Sequence, residues 1–430
     1  MIEKTNINGA ELCLCTNEAL HSFSLGVFIK GGSMYETAEN NGISHFFEHL
    51  VFRNLNCIYK GNYYELAGEN GITLYACTYN EFIYFEISGL VENFDFAIET
   101  LFGIFSPFVL DSKELKAEKN RIKAEIRESD SRNSLDFFAQ TKIWNGTSLG
   151  QAIIGSCKNL DSFSIKKMNE FRQSVLSSGN IYFCLTGNAD ERCVSKLKAC
   201  VSSLNISKES LNRSNTVSVP KNFSNRDLKI FIKSNPWSYV RLCFDIDTTK
   251  YPFHIRHLIS SILFEGENSL IYLNLSEKKP LIYSYDCINE EYSNIGNIKL
   301  KFEIDNKNLE TALTEAVDTF NSVKNGSFNL KSAKMNRKTC YMQLLDSPSS
   351  LNWNIGYLDF ILGEKSILNF DEFIDLFDTV TEEQIINYAK EVFQSKNLVL
   401  ALKGNYGQKR IERLKEIFIN LDYPSKDVTL

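Results

Sequence analysis

Histidine is scarce in this chain, five among 430 residues, so a pair at a chemically meaningful spacing carries weight. Basic charge is short as well. Lys and Arg number 47 against 53 Asp and Glu, for a net charge of −6 and a pI near 5.6. That withholds the electrostatic footprint which DNA or RNA binding requires. No apolar run reaches the roughly 18–20 residues of a membrane helix. The start, Met1-Ile-Glu-Lys-Thr-Asn, lacks the basic and apolar regions of a secretory signal and is not an Arg-rich transit peptide. Eleven cysteines are scattered without a C-x-x-C pair. They read as reduced, mostly buried thiols rather than a disulfide framework, and predict a cytoplasmic protein. Neither a G-x-x-x-x-G-K-[ST] loop nor a G-x-G-x-x-G fingerprint is present, so nothing points to a nucleotide.

What remains is an ordinary globular composition, 43% hydrophobic and 23% charged, in a chain too long for one core. Its most informative stretch is Asn41-Gly-Ile-Ser-His45-Phe-Phe-Glu48-His49-Leu-Val-Phe52. On a helix, positions i, i+3 and i+4 share a face, so His45, Glu48 and His49 converge. Two imidazoles at that spacing suit one Zn²⁺, and the carboxylate between them suits proton transfer from a metal-activated water. The order H-x-x-E-H is the inverted form of the H-E-x-x-H zinc helix. The competing reading is an apolar helix whose histidines merely pack.

Before this helix, residues 1–37 read as paired strands, from the alternation of Leu12, Leu14, Phe23, Leu25, Val27 and Ile29. After it, 61–69 looks helical, and Ile72–Thr78 and Phe82–Leu90 look like strands. The second of these is apolar on both faces, as a strand covered on both sides would be. Asp111 with Glu114 opens a helix over Ser112–Ser131, with Leu115, Ile122 and Ile126 at helical spacing. It also carries Glu118 and Glu125, which by themselves would be read as solvated.

The back of the chain repeats the front. Ser164–Asn180 followed by Ile181–Asn188 matches Thr381–Asn397 followed by Leu398–Asn405, without a gap and 217 positions apart. Each copy then runs into an amphipathic helix, Glu191–Leu204 and Gln408–Leu421. A duplicated domain follows, with the Ser- and Asn-rich segment Asn205–Ser224 containing the link. The expected division is 1–212, a linker at 213–224, and 225–430. The same shift carries His45 onto Ile262, where no H-x-x-E-H stands. His254 and His257 nearby lack a carboxylate at the working position and are read as structural. One copy therefore bears the metal and the other is silent.

The chain resembles the pitrilysin/insulinase zinc peptidases, a family that includes mitochondrial processing peptidase subunits and bacterial single-module enzymes. The resemblance rests on Gly31-Gly-Ser-Met-Tyr-Glu36, Gly42–Phe52, Gly71–Thr78, the Glu118/Glu125 helix and Leu149–Gly155. It implies an α+β fold of two tandem homologous domains, each an antiparallel sheet with helices packed on one face. It implies one Zn²⁺ per chain, with Glu125 as the third ligand after His45 and His49, Glu48 as the proton carrier and Glu118 as the supporting acid. Two such modules would close as a clamshell that admits short or unstructured peptides. Activity would be that of a zinc endopeptidase, in general peptide turnover or in a dedicated step such as trimming a leader from a ribosomally made peptide. The alternative is a non-catalytic structural or peptide-binding subunit.

Substrate would pair with the strand containing Leu74, Tyr75, Ala76 and Cys77. Family members commonly carry Asn where this chain has Tyr75. A second departure lies in the later domain, where the family places an Arg and, seven residues on, a Tyr directed at substrate. Here Tyr283 is present but Ser276 occupies the Arg position. In two-subunit members that wall faces the partner's metal. The chain is therefore expected to be the zinc-bearing half of a heterodimer whose partner supplies the Arg/Tyr pair. Lys278 or Lys279 offers a substitute charge that would suit a homodimer.

Overall fold

A computed structural model describes residues 2–129, 135–209, 217, 231–232, 237–366 and 369–422. The expected linker, 213–224, lies outside them apart from Val217. The chain forms two compact units. One holds residues 1–131, 151–215 and 342–368; the other holds 132–150, 216–341 and 369–430.

The first unit is built on six strands: β1 (Ile2–Ile7), β2 (Ala10–Thr16), β3 (Phe23–Lys30), β4 (Thr73–Thr78), β5 (Phe82–Gly89) and β6 (Ile181–Gly187). They lie in the order β1-β2-β6-β3-β5-β4, antiparallel except for β2 beside β6. Helices Ile43–Ile58, Phe94–Gly103, Ile165–Val175 and Glu191–Ser203 contribute to the core on one face, with Phe46, Phe47, Leu50, Phe85, Phe183 and Leu197 at its centre. The central strands β3 and β6 are buried almost throughout, because the opposite face is covered too. That cover comes from far along the chain. Helix Pro348–Gly356 and the π-helical turn Tyr357–Leu362 lay Leu351, Ile355 and Phe360 on Phe28, Tyr84 and Tyr182.

The second unit repeats the plan with β7 (Phe231–Ile232), β8 (Trp237–Ile246), β9 (Tyr285–Glu291), β10 (Gly296–Asp305) and β11 (Leu398–Gly404), ordered β7-β11-β8-β10-β9. Only β7 with β11 is parallel among the described pairs. Helix Leu135–Ile143, from the front of the sequence, packs on β8 and β11, with Asp136 bonded to Arg241 at 2.7 Å. The two-domain α+β architecture is as expected. The parallel pairs and the helices taken from the opposite end of the chain were not visible in the sequence.

The repeat holds at the level of single hydrogen bonds. Asn180 donates its amide to Lys30 O and Val175 O at 3.0 and 2.8 Å. Its counterpart Asn397 donates to Asp245 O and Val392 O at 2.9 and 2.8 Å. In each copy a buried side-chain amide ties the end of a helix to the neighbouring strand, satisfying carbonyls that would otherwise be orphaned.

The fit of the late helix is close. Gly356 lies against the ring of Phe28, and a Cβ there would run into it. Gly356→Ala should therefore destabilise the protein by about 1–3 kcal/mol through overpacking. Urea unfolding followed by tryptophan fluorescence should show a lower midpoint, since Trp353 sits in the same cluster.

Candidate metal centre

Helix Ile43–Ile58 is anchored before it begins. Glu36 is buried and accepts hydrogen bonds from Gly42 N at 2.7 Å, Ser44 N at 2.9 Å and the Asn41 amide at 3.0 Å. A carboxylate on free N–H groups at a helix N-terminus also meets the favourable end of the helix dipole. Gly42 takes φ 97°, and its Cβ would lie 2.9 Å from Gly155 Cα. The backbones at 42 and 155 thus cross with no room for side chains. This joins the 149–155 stretch to the start of the helix. Ile43, Phe46, Phe47, Leu50 and Val51 then bury one face, and His45, Glu48 and His49 stand half-buried on the other.

Helix Ser112–Ser129 packs alongside. It brings Glu125 to 3.6 Å from His45 Nε2 and 3.5 Å from His49 Nε2. The three donor atoms lie within 4.8 Å of one another, and this is the only such group among the described residues. A tetrahedral zinc ion at 2.0–2.1 Å from its donors separates them by about 3.3 Å. The donor set and its spacing therefore fit zinc.

Two turns earlier on the same helix, Glu118 is 2% exposed. Its Oε1 lies 2.8 Å from His49 Nδ1, and its Oε2 accepts from Arg53 Nε and NH2 at 3.1 and 2.9 Å. Burial works against its charge, but the bonds to His49 and Arg53 outweigh it and hold the carboxyl below its ordinary range. With the proton held on Nδ1, His49 turns the lone pair of Nε2 towards Glu125. His45 Nδ1 is buried with no hydrogen-bond partner. Burial, and then the neighbouring His49, lowers the pKa of His45 to about 3, so its imidazole is neutral and able to donate a lone pair.

Glu48 is held from the sheet side. Thr78 Oγ1 donates to Glu48 Oε2 at 2.7 Å. Burial raises the Glu48 pKa above the usual carboxylate value, against the Thr78 bond and the nearby His49. A carboxylate shifted upward beside a candidate metal position is suited to taking up and returning a proton. Thr78 ends β4, which among the described residues is an edge strand paired only to β5. Along it Leu74, Ala76 and Cys77 are half-buried and Tyr75 is exposed.

In the second unit, Tyr283 is 99% exposed and lines a groove of about 1,170 Å³ together with Ser276, Arg241 and Lys301. Lys279 pairs with Glu315. The position matching His45, Ile262, is plain core. Burial lowers the pKa of His257 to about 4. The preceding residue, Arg256, forms a buried pair with Glu291 at 2.8 Å. Gly146-Thr-Ser148-Leu-Gly150 spells G-x-S-x-G, but Ser148 opens a 3-10 turn after a helix, not the strand-to-helix elbow of a nucleophile.

Sequence reasoning missed Arg53, Thr78 and Glu36 as parts of this site. Arg53 had a usable signal, since it lies four residues after His49 and so shares its face. Thr78 had none, because its role depends on where a strand falls beside a helix.

The sequence and the fold also match known proteins. Residues 13–156 match the family model described as Insulinase (Peptidase family M16), and 162–337 match Peptidase M16 inactive domain. The chain is 23% identical over 403 residues to the uncharacterized zinc protease YmxG of Bacillus subtilis, covering 92% of this chain and 96% of that protein. It is 22% identical to the mitochondrial-processing peptidase subunit beta of Saccharomyces cerevisiae, covering 89% and 87%. A solved protease from Helicobacter pylori shares the fold at a TM-score of 0.82 and 19% identity, over 94% of this chain and 99% of that one.

Glu118→Gln should weaken zinc binding by about 10–100-fold, because the amide cannot replace a charge shared between His49 and Arg53. Competition against a chromophoric chelator at neutral pH would measure the loss.

Proposed function

The chain belongs to the insulinase peptidase family, and we propose that it is a catalytic member, a zinc-dependent endopeptidase acting on short or unstructured peptides. The observation that carries this reading is the convergence of His45, His49 and Glu125 from two helices, with Glu48 beside them.

In this reading His45 Nε2, His49 Nε2 and a Glu125 oxygen hold the zinc. When bound, the metal supplies a Lewis acid that lowers the pKa of water towards 7 and polarises a carbonyl. The chain's own groups do the rest. Glu118 keeps the His49 proton on Nδ1. Glu48, steadied by Thr78, takes the proton of the attacking water and returns it to the nitrogen of the departing amine. The free edge of β4 aligns the peptide by main-chain pairing through Leu74–Cys77. An extended segment can add to a strand edge in this way, which suits short or unstructured peptides.

A second subunit of the same fold completes the enzyme. The support is Ser276, which leaves the groove at Tyr283 without an arginine at that position. The partner brings the Arg/Tyr pair, and the assembly is a heterodimer. The free state of all eleven cysteines favours a cytoplasmic setting.

Glu48→Gln should retain zinc yet lose peptide cleavage by at least about 100-fold. Metal analysis and a quenched-fluorescence peptide assay on one preparation would test this, and turnover in a zinc-replete variant would sink the assignment. Separately, the chain purified alone should be weakly active and gain activity with its partner. A fully active homodimer would remove the need for one.

A further inference from the structure

We propose that Tyr75 selects the substrate: a peptide paired with β4 carries an aromatic or bulky aliphatic side chain opposite Tyr75. This rests on the edge-strand reading above and adds a side-chain requirement to it.

Successive residues of a strand point to opposite faces. On β4, Leu74 and Ala76 pack into the core beneath the metal helix, and Thr78 reaches Glu48. Tyr75 therefore points to the other face, where a run of aromatic rings begins. Its ring meets Tyr84 edge-on at 6.3 Å, and Tyr84 lies 5.1 Å from Trp353. Trp353 continues to Tyr79 at 4.9 Å, which stacks on Phe82 at 4.6 Å. Phe82 and Tyr84 are buried, whereas Tyr75 is 49% exposed. The aromatic face is closed at its inner end and open where β4 has no neighbour.

A strand added to that edge supplies the missing cover. Residues directly opposite across paired strands have Cβ atoms about 4.5–5.5 Å apart, on the same face. The substrate residue opposite Tyr75 meets its ring, while the residue three positions away, opposite Thr78, faces Glu48. An aromatic or aliphatic side chain there covers the ring and gains contact. Selection and chemistry thus sit on opposite faces of one substrate strand, at a fixed separation of three residues.

The test is a positional scan of extended peptides with the zinc-loaded enzyme in its active assembly. One position should prefer Phe, Tyr or Leu over Ser by about three- to ten-fold in KM. Tyr75→Asn should bring that ratio to near one, and Tyr75→Phe should keep it. A ratio that survives Tyr75→Asn, no preference at any position, or a preference for Lys or Arg there overturns the proposal. The same peptides titrated onto the Glu48→Gln variant separate this inference from the catalytic reading. Tyr75-dependent selective binding without wild-type cleavage supports selection and overturns catalysis. Cleavage without side-chain preference does the reverse, and no binding at all overturns both.

Discussion

A buried carboxylate must find hydrogen-bond donors and opposite charge or give up its own charge, and Glu118 finds both on one neighbouring helix. Its two oxygens face His49 and Arg53, which lie one turn apart on Ile43–Ile58. This pairing fixes the depth and rotation of helix Ser112–Ser129 against the metal helix. Seven residues on, about 10 Å along the axis, Glu125 arrives beside both imidazoles. Glu114 pairs with Arg53 at 3.1 Å one turn earlier. A single face of one helix thus supplies an ion pair, an orienting acid and a candidate ligand in succession.

The silent copy shows what the scaffold needs when no metal is involved. Asn180 and Asn397 make equivalent bonds, so the frame around the sheet is kept. At the first helix, the charges are settled internally. Arg256 and Glu291 form a buried pair, and Arg337, from helix Leu330–Leu345, reaches Glu265 at 2.6 Å. Removing one member of such a pair would leave an unpaired buried charge, typically costing several kcal/mol. The second unit is therefore stabilised by ion pairs in a region where the first gathers candidate ligands.

The proposed function of the first unit also depends on a strand with one free side. β4 is joined to Glu48 by Thr78 and to the aromatic face by Tyr75. Edge strands are hazards when long, flat and apolar. This one is six residues long, carries mixed side chains, and lies next to the helix that carries His45 and His49.

Much of this was legible in sequence because it depends on short spacings. His45, Glu48 and His49 share a face by helical period alone, and the repeat of 181–188 at 398–405 follows from side-chain identity. The hydrophobic pattern also showed β5 to be covered on both faces, but not by what. The covering residues, 348–362, lie more than two hundred positions away, and no local pattern records a contact at that range. By spacing alone Glu118 and Glu125 read as solvated acids; the family resemblance singled them out, and the structure sets Glu125 beside both imidazoles. The sequence by itself determined which residues could bind a metal and that the module occurs twice. The tertiary structure decided which carboxylate is buried, which strand keeps a free edge, and which threonine holds Glu48. These depend on distances between elements, which are set by packing and by the need to satisfy buried charge rather than by spacing along the chain.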